Sequence, residues 1–258
     1  MIKKFYVSAV FAVLFLISGS MLFAQDANSS PDIELPGFQL LFSGELGYAG
    51  NSDMEKFTKA QGQNTADEYN AYAASIPIAG GFKVDETSSP DTTWGVDLEM
   101  RFFPGSSGFG FGMGTGIHGA ESVSKVSSPH YADKVEYTTT LLVIPFVGTV
   151  YYETAVNDFS FVTFGAGLGK YYGMLDGELS SSHAIPGDVE VYEPIGDASA
   201  FGYHLKAEYS LFFKPLCLTV GVMGRYVQFK EFKDDNITID VDAGLTGVSM
   251  YLAAGLAI

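Results

Sequence analysis

The sequence predicts an all-β protein: an antiparallel transmembrane β-barrel of up-and-down topology with eight strands, ten being the alternative count. Three observations predict it. Apolar residues recur at every second position in segments of ten to fourteen residues, the period of a strand and not of a helix. Each greasy face is aromatic-rich and long enough to cross a bilayer on a tilted strand. The opposite faces carry charges in mid-strand, where a soluble sandwich would have core or open water.

The amino end sets the compartment. Lys3 and Lys4 precede the apolar run "VSAVFAVLFLISGSMLFA", which closes on small residues with Ala24 before Gln25. Residues 1–24 are expected to be a cleaved signal peptide, the alternative being a retained anchor, and 25–36 a short periplasmic segment. The single cysteine, Cys217, lies far from the leader, so the leader offers no thiol for a lipid and the chain none for an internal disulfide. All 30 acids follow residue 24, against 12 of the 14 bases, a net charge of −18 for residues 25–258. Such a surface repels nucleic acid. No cofactor or metal site is predicted.

The remaining chain, 37–258, reads as the barrel. In 38–48 Phe38, Leu40, Phe42, Leu46 and Tyr48 oppose Gln39, Ser43 and Glu45. In 94–103 Trp94, Val96, Leu98, Met100 and Phe102 oppose Asp97, Glu99 and Arg101. "GFGFGMGTGIHG" (108–119) alternates too: Phe109, Phe111, Met113, Thr115 and Ile117 form a lipid-facing stripe. Gly108, Gly110, Gly112, Gly114 and Gly116 then face the lumen. It is no dinucleotide loop, because the G-x-G-x-x-G spacing and a following helix are both missing. Glycine in a strand points to a close approach, here of long side chains such as Arg101, with a small ligand cavity as the other reading.

Further along, 136–152 and 159–172 read as strands. In 201–213 Phe201, Tyr203, Leu205 and Leu211 oppose His204, Lys206, Glu208 and Ser210. In 216–226 Leu216, Leu218, Val220 and Tyr226 oppose Thr219, Gly221 and Arg225, and 244–258 completes the ring. "PGSS" (104–107), "ETAVND" (153–158) and "KP" (214–215) serve as short turns. The long stretches 50–92, 119–134, 173–198 and 230–243 are expected as outer loops. "SIPIAGGFKVD" (75–85) is strand-like, and is assigned to an excursion of the first loop.

Several stretches carry a family resemblance. "EYTTTLLVIPFVGTVYY" (136–152), with its internal Ile-Pro, "FSFVTFGAGLGKYYG" (159–173) and "LCLTVGVMGRYVQF" (216–229) resemble strands of small outer-membrane barrels. The chain is similar to the opacity-protein, OmpX and OmpW group. The resemblance implies an eight-stranded barrel in the outer membrane, the lipid bilayer and the barrel-assembly machinery as partners, and, from OmpW, passage of small hydrophobic molecules. One departure is the end, "YLAAGLAI", where such barrels usually close on Phe or Trp.

On these facings the lumen holds Glu45, Asp97, Glu99 and Glu208 against Arg101, Lys206 and Arg225, with His204 nearby. Buried charges must be paired, so a salt-bridged plug is expected, Lys206 beside Glu208 and Arg101 beside Glu99. A gate or narrow pore is the alternative. Enzymology is not expected: among His118, His130, His183 and His204 no nucleophilic serine is placed. Acids crowd the outer stretches: Asp176, Glu178, Asp188, Glu190 and Glu193 in one, and Asp234, Asp235, Asp240 and Asp242 in another. They suit solvated loops, and more weakly divalent cations. Tyr69, Tyr72, Tyr131 and Tyr192 could anchor an extracellular ligand or host surface. The expected role is a surface-exposed structural or interaction protein; a narrow channel is the alternative, and a lipid-modifying enzyme trails.

Overall fold

The computed structural model describes residues 37–50, 52–74, 81–89, 92–105, 107–128, 131–182, 189–234 and 237–258. The expected signal peptide and the segment 25–36 lie outside the described residues. The strands are β1 (Phe38–Ala49), β2 (Lys83–Thr87), β3 (Thr92–Phe102), β4 (Phe109–Ser128), β5 (Tyr131–Asn157), β6 (Ser160–Ser182), β7 (Val189–Phe213), β8 (Leu216–Tyr226), β9 (Gln228–Asp234), β10 (Ile237–Gly244) and β11 (Gly247–Ala257). One helix, α1 (Ser52–Ala73), follows β1.

Eight strands close into a ring. Each of β3 to β7 pairs antiparallel with the next, β8 pairs with β11, β11 with β1, and β1 with β3. The seam between the chain's two ends runs from Gln39↔Ala257 to Ala49↔Gly247. Strand β2 is no ninth member: it pairs only with the far end of β4, through Lys83↔Ser127 to Thr87↔Ser124. That fixes the count at eight.

The outer face is greasy because lipid is its solvent. Phe42, Leu46, Trp94, Phe111, Met113, Phe146, Leu168, Leu205, Phe213 and Leu252 are all exposed, while their sequence neighbours point inward. The shortest ring strands, β3, β8 and β11, have 11 residues each, the length a tilted strand needs to cross a bilayer. Tight turns at one end link β5 to β6 and β7 to β8, beside both termini of the barrel.

At the other end β4 to β7 run on for 20 to 27 residues. Here the structure corrects the expected loops. Most of 119–134 is strand, paired from Gly119↔Leu142 to Ser127↔Lys134. Within 173–198 the ladder continues to Ser181↔Val189, and 230–243 is mostly the β9–β10 hairpin. Above the bilayer the outward face meets water and turns polar, while the inward face mixes serines with Val126, Val135 and Leu175, so the strand continues without its hydropathy contrast.

The first expected loop, 50–92, contains α1, which the sequence reading left out. Ser52 followed by Glu55 has capping-box spacing, and Asp53 and Glu55 lie in the first turn, where negative charge suits the helix dipole. Met54 buries with Leu141, Leu175 and Phe229 in a core at the barrel mouth, and Phe57 packs beside it. Ala66 and Tyr69 pack with Phe82, Val126, Val135 and Leu179 further out. Gly62 permits the approach, since a Cβ there would meet the Ser124 hydroxyl at 2.2 Å. The Asn70 side chain holds the helix end by accepting from the Phe82 N–H and donating to its carbonyl, both at 2.9 Å.

Met54→Asp would put a carboxylate into that apolar core. The expected outcome is an undocked α1 on an intact ring: trypsin cuts at Lys56 and Lys59 while the folded barrel keeps its heat-dependent electrophoretic shift. Parent-like trypsin resistance would contradict this packing.

Candidate functional site

The lumen is filled in storeys. At the turn end Leu41, Phe161, Phe212, Cys217, Tyr251, Ala253 and Ala257 form an apolar cluster, with Phe103 buried nearby. Beside it the Glu153 carboxylate accepts from the Gln39 amide at 3.2 Å and the Thr163 hydroxyl at 2.9 Å.

The next storey is ionic. Arg101, 1% exposed, donates through both Nη atoms to Glu208, at 2.5 and 2.7 Å. Its Nη2 and Nε also donate to Glu99, at 2.7 and 3.2 Å. Lys206 Nζ lies 3.0 Å from Glu99. The Tyr151 and Tyr251 hydroxyls donate to Glu99 and Glu208 respectively, and the Arg101 guanidinium sits 4.5 Å from the Tyr151 ring centroid. Two cations meet two carboxylates, and a planar guanidinium serves both acids at once, as its rigid fork of donors allows.

A second cluster lies one storey nearer the mouth. Arg225 donates to both Glu45 oxygens, at 3.0 and 3.2 Å. His118 Nε2 is 2.9 Å from Asp97 and its Nδ1 is 3.1 Å from Glu45. Glu45, Asp97 and His118 converge closely enough to hold a cation in principle, but the Arg225 guanidinium already supplies positive charge there. Above this cluster the apolar core under α1 closes the mouth.

The glycine row explains itself against these side chains. A Cβ on Gly110 would meet the Phe103 ring at 2.5 Å, one on Gly112 the Tyr151 ring at 2.9 Å, and one on Gly116 the Asp97 carboxylate at 2.3 Å. The glycines are bare so that long groups from β3 and β5 can lie across them. Gly108 precedes the strand at φ +76°, a left-handed turn conformation that glycine takes without strain. Gly114 lines a gap in the packing, a cavity of about 30 Å³ shared with Glu99, Arg101, His204, Lys206 and Arg225. That is room for about one or two waters.

Two expectations about partners need correction. Lys206 bonds Glu99 across the barrel and not Glu208, its neighbour two along, because in so narrow an interior the opposite wall is as near as the same strand. His204 stands outside the ionic network, its Nε2 3.0 Å from the Thr149 hydroxyl. The sequence reading also missed His118, Tyr151, Tyr251 and Glu153 as lumen groups. His118 carries the glycine alternation one step further. Tyr151 and Tyr251 lie in strands whose facings are ambiguous in sequence, "VYYE" and "MYLAAG". His130, His183 and Asp188 lie outside the described residues, as do the side chains of Tyr72, Tyr131, Tyr192, Glu190 and Glu193.

A closed eight-strand ring with a lipid-facing apolar wall and a packed polar interior is an outer-membrane-type β-barrel, the architecture of the small barrels that the sequence resembles. No family model matches the chain, and no curated protein does. Solved structures similar to it include the attachment invasion locus protein Ail of Yersinia pestis in complex with the heparin analogue sucrose octasulfate, at 11% identity over 87% of this chain and 100% of that one, TM-score 0.36. Neisserial surface protein A gives 7%, 87%, 99% and 0.36. The outer membrane protein OprG of Pseudomonas aeruginosa gives 10%, 87%, 97% and 0.43.

Gly112→Val would drive two methyl groups into Tyr151 and Arg101. Overpacking of this kind costs on the order of 1–3 kcal/mol, so the variant's urea midpoint in micelles is expected to fall. An unchanged midpoint would mean that the row is not set by packing.

Proposed function

We propose that this is a surface-exposed outer-membrane protein whose barrel is an anchor with a sealed lumen, and whose long-strand end, carrying α1, faces outward and meets the surroundings. The observation that carries the reading is the stack of fillings along the axis: an apolar cluster, an ionic storey, a second ionic cluster, and an apolar core under the helix. An eight-stranded barrel has interior enough for side chains and little else. The gap beside Gly114 is far below the size of a solute path. Export by residues 1–24 and insertion by the assembly machinery belong to the same reading, as does an extracellular ligand or host surface as partner of the outer end.

A second reading is favoured by one local feature. The β4–β5 ladder is interrupted between Thr115↔Phe146 and His118↔Val143, at Pro145, which has no N–H to give. Beside this break, over the pairs Met113↔Gly148 to Thr115↔Phe146, lies a groove of about 410 Å³ lined by Leu98, Met100, Met113, Phe146 and Gly148, and Gly114 and Val147 line both it and the inner cavity. Passage of a small apolar molecule sideways through the wall, as the OmpW resemblance implies, would use this place.

The test is flux into liposomes containing the folded protein, for ions and for small neutral and apolar solutes, with Arg101→Ala and Lys206→Ala beside the parent. The sealed reading expects a silent parent and leaking variants. Steady flux of apolar solutes alone through the parent would favour the wall route, and steady ion flux would sink both.

A further inference from the structure

The two ionic clusters of the lumen differ in their count of charges. In the lower one Arg101 and Lys206 face Glu99 and Glu208, two cations against two acids. In the one nearer the mouth, among the described residues, the single permanent cation Arg225 faces the two acids Glu45 and Asp97. Charges held this deep must be paired. The upper cluster is short of one positive charge.

His118 stands where that charge belongs. Its side chain is fully buried, with Nε2 2.9 Å from Asp97 Oδ1 and Nδ1 3.1 Å from Glu45 Oε1. A neutral imidazole has one N–H and one bare lone pair. With the proton on Nε2, the Nδ1 lone pair is set against the Glu45 oxygen. With the proton on Nδ1, the Nε2 lone pair is set against Asp97. The imidazolium, a donor at both nitrogens, suits both carboxylates. Arg225 Nη1 comes within 3.2 Å of Nδ1 because both are drawn to the same Glu45 oxygen, which Nη1 reaches at 3.0 Å. The backbone makes room for the ring, since a Cβ on Gly95 of β3 would collide with it.

We infer that this cluster is a proton-binding site, the proton on His118 being the fourth charge that completes the upper seal of the lumen. The groups facing the ring are Glu45 from β1, Asp97 from β3 and Arg225 from β8. Tyr171 of β6 and His204 and Lys206 of β7 share the inner cavity with Asp97 and Arg225. His204 meets the Thr149 hydroxyl there, and Lys206 is engaged by Glu99. The consequence is a seal that weakens in base. The folded chain holds a proton that a histidine of the unfolded chain gives up above about pH 6.5. The stability it supplies is therefore complete below that value and falls as the pH rises. This inference rests on the reading of the lumen as a seal and adds its regulation by pH.

The test uses the full mature chain folded in micelles, with its histidine rings isotope-labelled for nitrogen NMR and His118→Gln to assign the resonances. At about pH 7.5 both His118 ring nitrogens are expected to carry protons. Reversible urea unfolding is then followed from about pH 7 to pH 9, with and without EDTA. The unfolding equilibrium constant is expected to rise with pH by up to about tenfold per unit more in the parent than in His118→Gln. His118→Gln is expected to lower the midpoint at pH 7.5. Adding Asp97→Asn to it is expected to restore most of that loss, since one cation then faces one acid. A single protonated ring nitrogen at pH 7.5, equal pH slopes in parent and His118→Gln, or a pair no more stable than His118→Gln would each overturn the proposal. So would a parent midpoint lowered by EDTA, which would make a metal ion the fourth charge. A His130→Gln/His183→Gln/His204→Gln chain keeps His118 as its only histidine, and its nitrogen spectrum decides if His118→Gln does not fold. Steady solute flux through the parent at pH 7.5 would fail the sealed reading, whereas the ring's proton is read from the nitrogen spectrum alone.

Discussion

The Arg101 guanidinium, gripped by Glu208 on one side and Glu99 on the other, is the constraint on which the interior depends. An ion taken out of water costs several kcal/mol unless its partners are complete and well aligned. The barrel therefore supplies everything that the set needs: a second cation in Lys206, hydroxyl donors in Tyr151 and Tyr251, and a ring face for the guanidinium to lie on. These long groups fit inside eight strands because β4, the strand between β3 and β5, presents bare glycines for them to lie across. The glycine row of β4 is thus the complement of the ionic storey, two parts of one packing solution.

Once the middle of the barrel is ionic, its ends must keep water out, because solvated charges would loosen the pairs. The apolar cluster at the turn end and the core under α1 do this from the two sides. The helix is held by its buried Met54, by Phe57 and by the Asn70–Phe82 clasp. What the packed interior leaves accessible is the long-strand end and the wall itself, whose ladder is interrupted at Pro145.

Legibility in the sequence followed the solvent. Where lipid lies on one side and a packed lumen on the other, alternation is stark, and the strands and their order could be read directly. Beyond the bilayer the contrast disappears: Ala120, Ser122 and Ser124 are buried and Glu121 and Lys125 exposed, yet the stretch reads as polar loop. The helix had a signal in Ser52–Glu55 and in the spacing of Met54, Phe57, Ala66 and Tyr69. Its many polar residues masked that signal, since α1 caps a mouth and does not cross a core. Which acid takes which base was not legible, because Lys206–Glu99 and Arg101–Glu208 join residues 107 positions apart and depend on the closure of the ring.

The measurement that bears most directly on the account is a double-mutant cycle on Arg101→Met and Glu208→Gln, read by reversible urea unfolding of the barrel in micelles. Each single change strands a buried charge and is expected to cost about 3–5 kcal/mol. The double variant is expected to cost less than the sum by about 2 kcal/mol or more, since the stranded partner is gone. Additivity within about 0.5 kcal/mol, the behaviour of independent sites, would contradict a lumen organised around this pair.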